Sequence, residues 1–84
     1  MSADLTADEE KLVRAVVDTA RTQGKPTPKP RLDRIIRDDA AWLLNGLQRC
    51  GYVRYEEGCY HPTLKAIVEG QKQFQAPIWQ RQYT

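Results

Sequence analysis

The stretch that decides the fold runs from residue 40 to residue 63, Ala40-Ala41-Trp42-Leu43-Leu44-Asn45-Gly46-Leu47-Gln48-Arg49-Cys50-Gly51-Tyr52-Val53-Arg54-Tyr55-Glu56-Glu57-Gly58-Cys59-Tyr60-His61-Pro62-Thr63. Ala40, Leu43, Leu44 and Leu47 recur at three- and four-residue spacing, the signature of one buried helix face. Gly51 stands where a helix ends in a left-handed residue. Asp38 and Asp39, just before this run, suit the N-cap and first turn, where carboxylates complement the helix dipole. Tyr52-Val53-Arg54-Tyr55 and Cys59-Tyr60-His61 are β-prone runs around Glu56-Glu57-Gly58, a hairpin pattern. Pairing Tyr55 with Tyr60 puts Val53, Tyr55 and Tyr60 on one face and Arg54 and His61 on the other.

Upstream, Arg31 to Arg37 reads as a short helix with Leu32, Ile35 and Ile36 toward the core and Asp33, Arg34 and Arg37 outward. Two helices joined by a tight turn form a helix-turn-helix pattern. Before them, Lys25-Pro26-Thr27-Pro28-Lys29-Pro30 is held extended by its prolines. The missing N–H donors fall on one edge, so the segment is either a linker or an edge strand that pairs on one side through Thr27 and Lys29. Residues 7–23 form the first helix: Thr6 and Glu9 are spaced as a capping box, Leu12, Val13, Val16, Val17 and Ala20 share a face, and Gly24 stops it. Downstream, Pro62-Thr63 opens a last helix in which Leu64, Ile67, Val68 and Phe74 fall roughly on one side. Gly70 weakens that helix by ~1 kcal/mol, and a tail over residues 76–84 carries Trp79 and Tyr83. There is no internal repeat.

This order of elements resembles the winged helix-turn-helix superfamily over roughly residues 7–72. The residues that carry it are Leu43-Leu44, then Leu47-Gln48-Arg49-Cys50-Gly51-Tyr52-Val53-Arg54, which look like the end of a recognition helix, its glycine stop and the first wing strand. Gly58-Cys59-Tyr60-His61-Pro62-Thr63-Leu64-Lys65-Ala66 looks like the second wing strand running into a following helix, as in small bacterial regulators of the MarR and PadR kinds. The resemblance implies an α+β fold: a winged helix-turn-helix of three helices with a β-hairpin wing and a C-terminal helix. It also implies double-stranded DNA as partner, with the second helix of the pair in the major groove and the wing on the backbone or minor groove, and transcription regulation as the task.

The charge pattern bears on the same question. The 84 residues carry a net charge of only +2, but residues 1–24 hold three basic and five acidic side chains. Residues 25–55 hold seven basic and three acidic ones, and residues 56–84 three of each. The positive charge therefore sits in the middle third. Lys29, Arg31, Arg34, Arg37 and Arg54 are the expected phosphate contacts. On the wheel, Trp42, Asn45, Gly46 and Arg49 face outward; Asn45, Gln48 and Arg49 are the candidates for reading base edges. Gly46 costs helix stability but allows close approach. Trp42 is either a partner anchor or a core residue covered by Trp79; as an exposed Trp it suits an interface hot spot. Asp38 and Asp39 would repel phosphates. The rival reading from another class is therefore a winged-helix protein-interaction module without DNA binding, anchored by Trp42 and the C-terminal aromatics. A homodimer through the first and last helices is expected, since two-fold operators need paired half-sites.

Other classes fit less well. A chain of 84 residues is one domain, here 1–84 with 1–5 and 80–84 as flexible ends, and its small core argues against an enzyme with a deep pocket. There is no Gly-rich phosphate loop, Ser2 is the only serine, and His61 has no placed nucleophile. Cys50, Cys59 and His61 fall short of four zinc ligands with paired spacing, so neither metal nor cofactor is expected. In the hairpin register Cys59 opposes Glu56, far from Cys50, so both cysteines are expected as buried small hydrophobes or inert thiols. No apolar run approaches the ~18–20 residues of a membrane span, and MSADLTADEEK lacks the apolar region of a signal peptide. A cytoplasmic location follows as the expectation.

Overall fold

The computed structural model describes residues 5–69. Phe74, Gly70 and the aromatic tail therefore lie outside the described residues. Glu57 and Gly58 both adopt positive φ, 51° and 81°, the backbone of a two-residue type I′ turn whose twist matches that of the strands it joins. The turn fixes the register of β2 (Val53–Glu56) against β3 (Cys59–Pro62). Tyr55 stands opposite Tyr60, Arg54 opposite His61 and Glu56 opposite Cys59, as the alternation of residue types required. The two tyrosine rings lie 5.1 Å apart at 56°, a cross-strand aromatic pair.

A third strand, β1 (Thr27–Pro28), pairs antiparallel with β3 and makes it the centre of a three-stranded sheet in the order β1-β3-β2. The proline-rich segment is thus a one-sided edge strand rather than a linker. Its pairing partners are Thr27 and Pro28; Lys29 instead starts a helix. That helix, α2 (Lys29–Ile36), begins two residues earlier than the prolines suggested. Pro30 sits in its first turn, where the N–H has no helical acceptor and its loss costs nothing. Leu32 is wholly buried and Ile36 packs at the core edge, but Ile35, expected inside, is 37% exposed. Its side chain instead lines a surface recess beside Ala15 and Val17 of the first helix. Arg37 is not in the helix but caps it in the left-handed conformation, φ 58°.

The remaining helices are α1 (Ala7–Gln23) and α3 (Ala41–Arg49), and residues 64–69 are helical as well, here α4. The capping box of α1 is present in both halves: Glu9 N–H donates to Thr6 Oγ1 at 3.2 Å and Thr6 N–H to Glu9 Oε1 at 2.9 Å. Gly24 ends the helix at φ 65°. Leu12, Val13, Val16 and Val17 of α1 meet Leu32, Ala40, Leu44, Leu47, Tyr52, Val53, Tyr60 and Ala66 in one core. No helix among the described residues is long and apolar enough to cross a membrane.

At its far end α3 closes in a Schellman arrangement, Tyr52 N–H to Leu47 O at 2.9 Å and Gly51 N–H to Gln48 O at 3.1 Å. Two further carbonyls there are met from α4. Lys65 Nζ donates to Cys50 O at 2.8 Å while lying 4.4 Å above the Tyr52 ring, and the Thr63 hydroxyl donates to Gly51 O. Thr63 Oγ1 also accepts from Ala66 N–H at 3.3 Å, so it caps α4. Ala66 is the residue of α4 that reaches the core; Leu64, expected on the buried side, is 76% exposed. Cys50 is exposed at the end of α3 rather than buried, and Cys59 is half-buried; both are free thiols.

One core residue is mismatched to its surroundings. Thr27 is fully buried and its hydroxyl has no hydrogen-bond partner. A buried unpaired hydroxyl costs on the order of 1–3 kcal/mol, and valine matches threonine in shape. Thr27→Val is therefore expected to raise the unfolding free energy by about 1 kcal/mol, measured as a higher urea midpoint at unchanged m-value. A lower midpoint would show that the hydroxyl is satisfied in solution.

Candidate nucleic-acid interface

The surface formed by α2, α3 and the β2–β3 hairpin is organised by a charged cluster at the α2–α3 turn. Lys29 Nζ lies 3.0 Å from Asp33 Oδ2, one helical turn ahead, and 2.8 Å from Asp39 Oδ1. Asp33 Oδ1 in turn accepts the Ala40 N–H at 2.7 Å, and Asp39 Oδ1 accepts the Ala41 N–H at 2.9 Å. The carboxylates thus serve orphan donors at the start of α3 from outside the helix. The N-cap position itself is Ala40, not Asp38 or Asp39 as expected, because Asp39 reaches Ala41 while also meeting Lys29. Asp38 Oδ1 accepts the Asp39 N–H at 2.7 Å.

The electrostatics follow from these contacts. Hydrogen bonds to Asp39 and Asp33 push the Lys29 ammonium up to about 12. The Ala40 N–H and then Lys29 hold Asp33 below the usual carboxylate range, and Lys29 and then the Ala41 N–H do the same for Asp39. Lys29, expected among the phosphate contacts, is held inside the protein's own network. Asp39, expected to repel phosphates, shares its charge with that ammonium.

The arginines stand differently. Arg31, Arg34, Arg37, Arg49 and Arg54 are all exposed, and none of their guanidinium groups has a hydrogen-bond or ion-pair partner among the described residues. Arg31 and Arg34 lie on the side of α2 away from Leu32. Arg54 lies on the outer face of the sheet with His61, whose Nε2 is 3.7 Å from Glu56 Oε1.

On α3, Trp42, Asn45, Gln48 and Arg49 are exposed, Trp42 by 84%. Trp42 is thus not a core residue. Gly46 is half-buried rather than fully outward, because α3 passes the start of α1 there. Trp42, Asn45 and Arg49 come together around a recess of about 130 Å3 that Glu9, Leu43 and Gly46 complete. Gln48 lies on the flank of the helix, outside it. From sequence spacing Glu9 reads only as a capping residue. Its second role depends on α1 crossing α3, which nothing local in the sequence marks. A larger recess of about 500 Å3, lined by Lys11, Arg14, Ala15, Val17, Asp18, Arg21 and Ile35, shares no residue with this surface.

No protein-family model, curated protein or solved structure matches the chain, so its own geometry carries the functional reading.

The charged cluster has a pH signature. Asp33 and Asp39 titrate lower in the folded chain than in the unfolded one. Their contribution to stability is therefore present above about pH 4 and is lost as the pH falls through their native values. Lys29 titrates higher when folded, so its contribution is complete below about pH 10 and is lost as the pH rises toward its folded value. Burial raises the Tyr60 phenol in the same direction. Urea unfolding followed across pH is expected to show a plateau with a falling limb on each side. Asp39→Asn should flatten the acid limb and Lys29→Met the alkaline one, with Tyr60→Phe reporting the phenol's share. An acid limb identical in Asp39→Asn would show that the carboxylate is not paired in solution.

Proposed function

We propose that the chain is a winged-helix DNA-binding protein that works in transcription regulation, with α3 presented to the major groove and the β2–β3 hairpin as the wing. The observation that carries this reading is the set of five exposed arginines whose side chains have no partner among the described residues, beside Asp33 and Asp39, which Lys29 already neutralises in part. Five guanidinium groups without a carboxylate partner among the described residues, spread over α2, its cap, α3 and the hairpin, suit phosphate oxygens. Arg37 adds a second sign. A side-chain-bearing residue in the left-handed region costs about 1–2 kcal/mol relative to glycine, and no contact among the described residues rewards the choice of arginine.

A homodimer belongs to the same reading. The apolar residues of α1 are buried in its own core, so apolar support for a second copy comes from Leu64 and Val68 of α4, both exposed. The exposure of Trp42 favours a second reading, a protein-interaction module that uses the indole as its anchor.

Fluorescence anisotropy of a labelled random-sequence duplex, titrated at several salt concentrations, tests the proposal. Each phosphate neutralised adds about −0.9 to the slope of log K against log salt, so four or five arginine contacts give about −4. Arg34→Ala should weaken binding to every sequence and reduce the slope by about one contact. Arg37→Gly should do the same with no loss of stability and a gain of up to about 1–2 kcal/mol, because glycine suits that backbone. Absence of binding at low salt would overturn the DNA reading and leave the interaction module.

A further inference from the structure

Trp42 poses a problem that paired DNA does not solve. It stands 84% exposed on the first turn of α3, the helix offered to the groove in the reading above. In a duplex the base faces are stacked, and the grooves present only edges with their donors, acceptors and methyl groups. An indole carried into a groove therefore finds no ring face to stack on. An unpaired base has both a free face and a free edge.

The recess beside Trp42 is furnished for such a group. Asn45 supplies an amide that both donates and accepts, Arg49 supplies guanidinium donors, and Glu9 supplies a carboxylate. Gly46 leaves the space open. A Cβ there would meet only Glu9 Oε2, at 3.9 Å, an ordinary contact, and the residue has no positive φ. Neither packing among the described residues nor the backbone requires glycine at this position, which leaves room for a ligand as its effect.

We propose that this recess takes one unpaired nucleobase, stacked on Trp42 and held at its edge by Asn45, Arg49 and Glu9, so that the protein prefers nucleic acid with unpaired bases over a fully paired duplex. The inference rests on the DNA reading and deepens it.

The test compares a paired duplex, the same duplex with a central bubble and the corresponding single strand, at one salt concentration. The bubble should bind about 5- to 150-fold more tightly than the paired duplex, the range that one stacked base supplies. Trp42→Ala should bring that ratio to about one, Trp42→Phe should retain part of it, and Gly46→Leu, which fills the recess, should abolish it. Arg34→Ala should weaken bubble and duplex alike and so keep the ratio. In a Trp79→Phe background the bubble should quench the Trp42 fluorescence. Equal affinity for bubble and duplex would overturn the base pocket and leave the DNA reading standing. No binding to any of the three would overturn both. A ratio that survives Trp42→Ala would place the preference elsewhere on the surface.

Discussion

One ammonium held between two carboxylates sets the geometry on which the rest of this domain depends. Lys29, the first residue of α2, joins Asp33 one turn further along that helix to Asp39, two residues before α3. The same two carboxylates accept the first backbone donors of α3. The direction in which α3 leaves the turn, and so which of its residues meet solvent, is fixed by hydrogen bonds that are mutually dependent. Exposed ion pairs are ordinarily worth little. This one differs because each acid also satisfies a backbone N–H that would otherwise lack an acceptor, and Leu32 and Ala40 bury the turn from beneath.

The other end of α3 is secured by different chemistry. Its last carbonyls are met by Gly51 and Tyr52 of the Schellman turn and by Thr63 and Lys65. Lys65 there places a cation at a helix C-terminus, where the dipole favours it, and covers the Tyr52 ring. Thr63 does two tasks at once, closing α3 and opening α4. The hairpin between them is held by the Glu57-Gly58 turn and the Tyr55–Tyr60 pair, with β1 as a short second neighbour of β3. A helix fixed at both ends with an unencumbered outer face is a rigid platform for side chains that act on something outside the protein.

The division of labour among the basic residues supports the nucleic-acid reading. Lys29 is used to build the platform, whereas the side chains of Arg31, Arg34, Arg37, Arg49 and Arg54 have no partner among the described residues. Arginine retains its charge throughout and offers a planar fork to phosphate oxygens, and that is the chemistry proposed for the outer surface. Trp42, Gly46 and Glu9 are the residues that a purely electrostatic phosphate contact would not need, and they are the ones that the proposed base recess uses.

Much of this was legible in the chain itself. The capping box at Thr6 and Glu9, the Gly24 and Gly51 stops, the Tyr55–Tyr60 register and the apolar stripes of α1 and α3 are set by residues a few positions apart, so spacing alone reveals them. Tertiary structure decided what depends on residues distant in sequence. Whether Pro26 to Pro30 forms a strand or a linker turned on β3 being there to pair with Thr27. Ile35 and Leu64 carry apolar side chains yet stay exposed, because a short helix can bury only the positions that a neighbour covers. Lys29 reads as a phosphate contact and Asp39 as a helix cap that would repel phosphates, until the turn brings the two together across ten residues. Glu9 became part of the α3 recess only because α1 crosses that helix at Gly46. Periodicity records which face of an element is apolar; which neighbour meets that face, and which charges meet each other, depends on chain crossings that no local pattern encodes.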